Sequence, residues 1–425
     1  MSITTIAIIG LGSRGKDAYA EALSHMPGRA KVVALADPDA DKLKQAKTFP
    51  GLEDAVCYAS GEDLLAQPKL ADAVIICTQD RQHVPHAIAA MEKGYDVLLE
   101  KPISPDLQEC KDILSVSRKT GRKVVVCHVL RYSPFFRKIY EILRGGTLGR
   151  LMTIQGIENV CYWHQAHSFV RGNWRSSTET SPMFLAKCCH DMDLMVWLTG
   201  KKCLRVSSFG SLGQFKPENA PEGAALRCLD GCKARENCPY DAEKIYLTNK
   251  STGVLHGKTG WPCNILSLNP TEETIRKAIT EGPYGRCVYF CDNDVVDHQV
   301  VNLEMEDGLT INFTMSAFTA GGGRYTNFMG THGNMIADLD KKLITVTPFG
   351  GEAQVFDFAI RKDEMVGHAG GDSVLIAEFL DYLAGAHPDS ITTLEDSMES
   401  HFIAMAAEES RVGCGAVVEM AGYRE

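Results

Sequence analysis

The chain has 425 residues, 44% of them hydrophobic and 23% charged, enough for more than one core and for two or three domains. Its formal net charge of -10 excludes nucleic acid as the main partner, because phosphate binding needs an excess of Lys and Arg. No apolar run approaches the roughly 18 residues of a membrane span, and Ile6–Ile9 is too short for a secretory signal, so the 15 cysteines read as reduced thiols of a cytoplasmic protein.

The first 128 residues alternate short β-rich runs with amphipathic stretches, which predicts a parallel sheet covered by helices. The first run, Thr5–Ile9, leads directly into Gly10-Leu11-Gly12-Ser13-Arg14-Gly15, and a helical pattern follows over Gly15–His25. A GxGxxG between strand and helix is a dinucleotide fingerprint. The first glycine makes the tight turn, the second admits pyrophosphate to the backbone, and the third lets helix pack on strand. The N–H groups of Ser13 and Arg14 at the helix start suit the pyrophosphate.

The second run, Val32–Ala36, ends at Asp37. A carboxylate there accepts the ribose hydroxyls of NAD and repels the 2′-phosphate of NADP; the competing reading is a cap on the helix Asp39–Lys47. After Ala73–Cys77 comes Thr78, with His83 five residues on, and then a helix over His86–Lys93. The fourth run, Val97–Leu99, is followed by Glu100-Lys101-Pro102. Residues just past a parallel strand face the cofactor crevice, and a partly desolvated Lys101 there can exchange a proton with a substrate hydroxyl. Ser104 and Pro105 read as N-cap and first residue of a helix to Lys119, and Lys123–Cys127 closes the sheet.

From about Arg150 strands follow one another: Leu151–Ile157, Arg205–Gly210, Cys287–Phe290, Val300–Met305, Leu309–Phe318 and the hairpin Asn334–Val346. This predicts a large, mostly antiparallel sheet in a second α+β domain, residues 129–425. One strong helix, Phe184–Leu198, lies inside it, and two more close the chain, Ser373–Ala384 and Leu394–Val412. Residues 217–286 read as a Cys-rich insertion, where Cys228, Cys232 and Cys238 form a candidate structural zinc site with Cys263 as fourth ligand. Buried free thiols are the competing reading.

These motifs together, continued by His128-Val129-Leu130-Arg131-Tyr132, Trp174-Arg175 and His190-Asp191-Met192-Asp193, resemble the glucose–fructose oxidoreductase / inositol dehydrogenase / rhizopine dehydrogenase (Gfo/Idh/MocA) family. The resemblance implies a Rossmann domain with NAD and Lys101 as the catalytic lysine. It places Thr78, His83 and Glu100 at the cofactor, and gives the second domain substrate contacts and the surface of a homodimer or tetramer.

In that family an aspartate stands four residues before the histidine of the second-domain helix; here the position is Ala186, and Lys187 is the nearest ionisable group. His190 is the expected general acid/base, its ordinary pKa of about 6.5 suiting neutral pH. Lys187, Trp174, Arg175, Asp193 and His368 are candidate substrate contacts, with His164 and His167 behind them. The expected reaction is hydride transfer between NAD and a secondary hydroxyl of a sugar, polyol or glycoside. A glycoside-cleaving enzyme using transient ring oxidation, and a non-enzymatic NAD sensor, are the alternatives.

Overall fold

The early apolar runs assemble as their alternation predicts. In the computed structural model, which describes residues 3–359 and 369–425, β1 (Thr4–Ile9), β2 (Ala30–Ala36), β3 (Val56–Tyr58), β4 (Ala73–Ile76), β5 (Asp96–Leu99) and β6 (Val124–Val126) form one sheet. Its order is β3-β2-β1-β4-β5-β6, with every pairing parallel. Ile6, Ile8, Val74, Ile76 and Leu98 are fully buried, as a sheet covered on both faces requires. The strand order turns back between β1 and β4, so the loops leaving these two strands open a crevice at the carboxyl edge.

The second sheet contains β7 (Leu151–Asn159), β8 (Cys203–Ser211), β9 (His298–Met305), β10 (Thr310–Ser316), β11 (Gly323–Gly330), β12 (Gly333–Asp338), β13 (Leu343–Pro348), β14 (Gln354–Asp357) and β15 (Val418–Glu419). Its order is β14-β13-β12-β11-β7-β10-β9-β8-β15, antiparallel throughout except for β10 beside β7. Alternate residues face inward: Val301, Leu303, Ile311 and Phe313 pack in one core with Leu194 and Met195 of the helix Met183–Thr199. That helix stops at Gly200, whose left-handed backbone (φ 67°) returns its N–H to the Val196 carbonyl.

Several local expectations are corrected. The helix after β5 starts later than Ser104-Pro105: Asp106 is its N-cap, accepting the Glu109 N–H at 3.0 Å, and the helix runs Leu107–Thr120. Cys287–Phe290 is a turn, with Phe290 N–H donating to the Cys287 carbonyl at 3.1 Å. The helix Gly371–Leu383 leaves the second sheet and buries Leu375, Ile376, Phe379 and Leu380 against Ile6, Ile8, Leu35 and Leu98 of the first. His368 lies outside the described residues.

The insertion packs Tyr240, Ala242, Ile245, Tyr246, Cys263, Ile275 and Ile279 in a separate core with Ala166, Val170 and Phe215 of the flanking chain. Arg171 is fully buried within it and donates to the carbonyls of Arg286 and Tyr240, both at 2.7 Å. Among the described residues no helix is long and apolar enough to cross a membrane.

Candidate active site

The glycine loop is shaped for close backbone approach. Gly10 has φ +90°, and a Cβ there would stand 2.5 Å from the Cys77 carbonyl oxygen; at Gly15 it would stand 1.9 Å from that of Gly10. Both positions are closed by the neighbouring backbone. Gly12 is the opposite case, with nothing within 4 Å of its missing Cβ. The helix Ser13–Ala20 begins there with no side chain capping it. A bare helix start beside open space is a cradle that fits the pyrophosphate of a dinucleotide.

Asp37 is buried and braces this loop, accepting N–H groups from Leu11 at 2.7 Å and Asp39 at 2.9 Å. It does not cap the next helix. Asp39 does, accepting from Asp41 N–H at 2.9 Å. Arg14 lies in a buried network: it donates to Glu100 at 2.7 Å, to the Tyr19 hydroxyl at 2.6 Å and to Asp372 at 2.7 Å. Burial alone would raise the Glu100 carboxyl, but the Arg14 guanidinium and the Lys101 ammonium hold it below the usual carboxylate range. Glu100 is therefore an anion at the floor of the crevice.

Lys101 leaves the carboxyl end of β5 and reaches the second domain. Its Nζ donates to the Ala186 carbonyl at 3.1 Å, in the first turn of Met183–Thr199. His190, buried to 6% exposure, lies one helical turn beyond Ala186 on the same face. His83 holds the loops on the other side, its ring nitrogens 2.7 Å from the Pro102 carbonyl oxygen and 3.1 Å from that of Thr78. It ties the loop after β4 to the Glu100-Lys101-Pro102 turn. Behind His190 stands His128, ring centroids 5.7 Å apart, and then His401, 5.5 Å further. Burial, with Arg131 and Lys101 nearby, pushes His128 far below its ordinary value, so this ring is neutral.

The expected substrate contacts divide. Lys187 points to Glu158 of β7, 3.1 Å away, and Glu158 also meets Arg324 of β11 at 3.1 Å. Arg324 grips Asp191 with two bonds of 2.7 and 3.0 Å. Two cations and two anions thus form one cluster beside the crevice, with Lys187 partly open to solvent. Asp193 faces the other way: it is buried against Arg131, which donates twice to it at 2.7 and 2.5 Å. Its role is that of a buried counter-ion.

Trp174 donates its indole N–H to Asp80 at 3.2 Å, and Ser181 Oγ donates to the same carboxylate at 2.6 Å. Both latch the second domain to the first. Arg175 pairs with Asp292 at 3.0 Å and Glu179 at 3.5 Å.

His164, a secondary candidate by sequence, emerges as a site residue. Burial pushes it well below its ordinary value, and Lys187, His167, Lys101 and Arg324 all add to the push. Its ring is therefore neutral, and it meets Trp261 edge to face with centroids 4.7 Å apart. Sequence alone could not weight it, because His164 falls in a short helix, Tyr162–His164, with no motif around it.

The zinc expectation is not supported. Cys228, Cys232 and Cys238 line one small cavity with Cys287, but Arg171 lines it too. The Arg171 guanidinium donates to Cys228 Sγ at 3.6 Å. A fixed cation among the thiols repels a divalent ion, and burial pushes the Cys287 thiol up to about 11, keeping it protonated. Among the described residues no group of three or more His, Cys, Asp and Glu is placed to hold a metal. Cys263 donates to the Thr252 carbonyl at 3.2 Å instead.

Comparison with known proteins agrees with this geometry. Residues 4–128 match the Gfo/Idh/MocA oxidoreductase family's NAD-binding Rossmann fold, and residues 141–414 its C-terminal alpha/beta domain. The chain belongs to the Gfo/Idh/MocA oxidoreductase family. It is 24% identical over 408 residues to the oxidoreductase YteT of Bacillus subtilis, spanning 90% of this chain and 91% of that one. It is also 28% identical over 204 residues to inositol 2-dehydrogenase 4 of Saccharopolyspora erythraea, which covers 48% of this chain and 56% of the relative. The family fold is matched by scyllo-inositol dehydrogenase from Lactobacillus casei, solved with NAD(H) and scyllo-inositol. That match has a TM-score of 0.65 and 19% identity, covering 99% of this chain and 100% of that one. As a member of this family the chain is an oxidoreductase with an NAD-binding fold.

Proposed function

We propose that this oxidoreductase uses NAD to act on a secondary hydroxyl of a cyclic polyol or sugar, with Lys101 and His190 handling the hydroxyl proton. One observation carries the reading: Lys101 Nζ reaches across the crevice to the Ala186 carbonyl, on the helix and face that carry His190. The relatives and the fold neighbour that act on inositols support the same substrate class.

The Gly10–Gly15 loop with Ser13 and Arg14 would hold the pyrophosphate, Asp37 the adenosine ribose, and Thr78 and Glu100 the nicotinamide end. His83 acts by fixing the Thr78 and Lys101-Pro102 loops. Bound NAD supplies the hydride acceptor or donor. The protein's part is orientation and proton transfer. Oxidising an alcohol to a ketone releases one proton from oxygen. Lys101 Nζ in its neutral form takes that proton and returns it in the reverse direction, while His190 holds the same oxygen by a hydrogen bond. Lys187, which shares Glu158 with Arg324, would bind an oxygen of the substrate away from the reacting carbon.

The second sheet supports the proposed assembly of copies of this chain. Phe209, Val300, Thr314, Ile157 and Tyr325 are paired in register across five strands, so they form one row on one face. Phe209 is 56% exposed and Val300 and Tyr325 are each 37% exposed, which suits a contact between copies of this chain.

The test of function is a panel of polyols, sugars and aryl glycosides incubated with NAD and followed both by NADH absorbance and by product release. Net NADH with a polyol or sugar is expected. Aglycone release without NADH accumulation would replace this reading with a redox-assisted glycoside cleavage. Binding of NAD with turnover of nothing in the panel would replace it with a sensor.

A further inference from the structure

The insertion does more than decorate the second domain: its segment 261–268 crosses to the dinucleotide domain. Asn264 Nδ2 donates to Asp17 at 3.0 Å, on the helix that follows the glycine loop. Gln45 Nε2 donates to the Leu268 carbonyl at 3.1 Å. Lys16 Nζ, from the same first helix, completes the patch by donating to Gln45 at 2.7 Å. At the other end of the segment Trp261 lies among aromatic rings of the second domain. Its centroid is 5.1 Å from Trp163, 4.7 Å from His164 and 5.4 Å from His167. The segment is therefore held at both ends, and Trp261 has little freedom to swing.

This aromatic group is joined to the charged cluster by a short stretch of chain. Glu158, at the end of β7, holds Lys187, and the chain then runs five and six residues on to Trp163 and His164. Lys187 follows Ala186, the residue whose carbonyl receives Lys101. His164 feels the charges of Lys187 and Lys101 and meets Trp261 edge to face. Yet Trp261 keeps 40% of its surface in solvent, although it packs on three rings. A large indole held rigidly and left partly bare is suited to stacking on a ring, for it offers broad contact area at little cost in conformational entropy.

We infer that Trp261, backed by Trp163 and His164, forms a second subsite that stacks a ring or aglycone attached to the sugar being oxidised, so that the enzyme prefers glycosides to free monosaccharides. The inference rests on the sugar-oxidoreductase reading above. It adds the size of the substrate and the residue that selects it. Trp261 touches substrate away from the reacting carbon, so it acts on affinity and not on the proton-transfer step.

The test uses the full-length protein loaded with NAD and titrated by calorimetry with free pyranoses and their p-nitrophenyl glycosides. For the wild type, the best glycoside should bind about three- to tenfold tighter than its parent sugar, the size of one favourable ring–ring contact. Trp261→Ala should bring that ratio to about one, Trp261→Phe should keep most of it, and in turnover assays the loss should fall on KM with kcat held. Trp163→Ala tests the same wall from the second domain should Trp261→Ala fold poorly. A wild-type ratio of one, or a ratio unchanged in both Ala variants, overturns the subsite and leaves the oxidoreductase reading standing. Failure of every sugar and glycoside to bind the NAD-loaded protein overturns both.

Discussion

The dinucleotide domain and the insertion at residues 217–286 are built on opposite principles. In the first domain each element carries its own instruction: an apolar run, a glycine turn, an amphipathic helix. Gly15 is fixed by the Gly10 carbonyl within the loop and Gly10 by the Cys77 carbonyl at the end of the neighbouring strand, so backbone of the sheet itself sets the loop's conformation. In the insertion order comes from far away. Arg171, outside it, supplies a buried cation that gathers the Arg286 and Tyr240 carbonyls and the Cys228 thiol. One region positions a cofactor through backbone geometry; the other presents side chains from a frame that long-range polar contacts hold together.

The largest expected effect breaks the first region. Gly15→Ala forces a Cβ to 1.9 Å from the Gly10 carbonyl oxygen. NAD titration by calorimetry should then show no binding, while the second domain keeps its fold. NAD bound with wild-type affinity would mean that the loop is not the cradle.

Next comes the charge pair beneath the site. Asp193→Ala leaves Arg131 buried without its carboxylate and should cost about 3–5 kcal/mol in urea unfolding. A stable variant with only a raised KM would restore Asp193 to the substrate. The insertion's dependence on one cation is open to the same kind of test. Arg171→Met should expose its loops to rapid tryptic cleavage at sites such as Lys233 and Arg235, while the dinucleotide domain stays resistant. Cleavage no faster than wild type would show that the insertion's apolar core suffices.

Acid should loosen the protein through its buried imidazoles. His128 is pushed well below its ordinary value, and His167 and His401 down to about 3, in each case chiefly by burial. The unfolded chain takes up protons near pH ~6.5 and the folded chain does not. The stability these rings lend is therefore complete above that pH and is lost as pH falls below it, by up to about 1.4 kcal/mol per unit for each ring. A flat stability profile between pH 7 and 5 would contradict their neutral burial.

The smallest effect concerns the cofactor's choice. NAD should bind at least about tenfold tighter than NADP, and Asp37→Ala should narrow the gap, since one charged hydrogen bond is worth about 1.5–3 kcal/mol. Equal wild-type affinities would remove Asp37 from that role.

These contrasts also explain what could be read in advance. Five of the six parallel strands, the glycine loop and the helix carrying His190 were legible because periodicity and turn chemistry are local; β3, three residues long, was not. β11 was not, since Gly323 and the glycines before it mask its alternation. The helix Gly371–Leu383 looked like part of the second domain, because nothing in an amphipathic pattern names the surface that will cover it. The three cysteines pointed to zinc because spacing shows ligands but not the guanidinium placed among them. Lys101 was visible from its position after β5; its reach to Ala186 across the crevice was not. Trp261 carried no motif, and only the folded insertion brings it to His164.

The central claim is that Lys101 and His190 serve one hydroxyl proton, and a double-mutant cycle on the best substrate of the panel tests it most directly. Lys101→Ala and His190→Ala should each lower kcat/KM by about two to four orders of magnitude. The double variant should lose less than the product of the two, because the groups act as a unit. NAD affinity should change little in all three. Near wild-type turnover by Lys101→Ala, or fully multiplicative losses, would contradict the account.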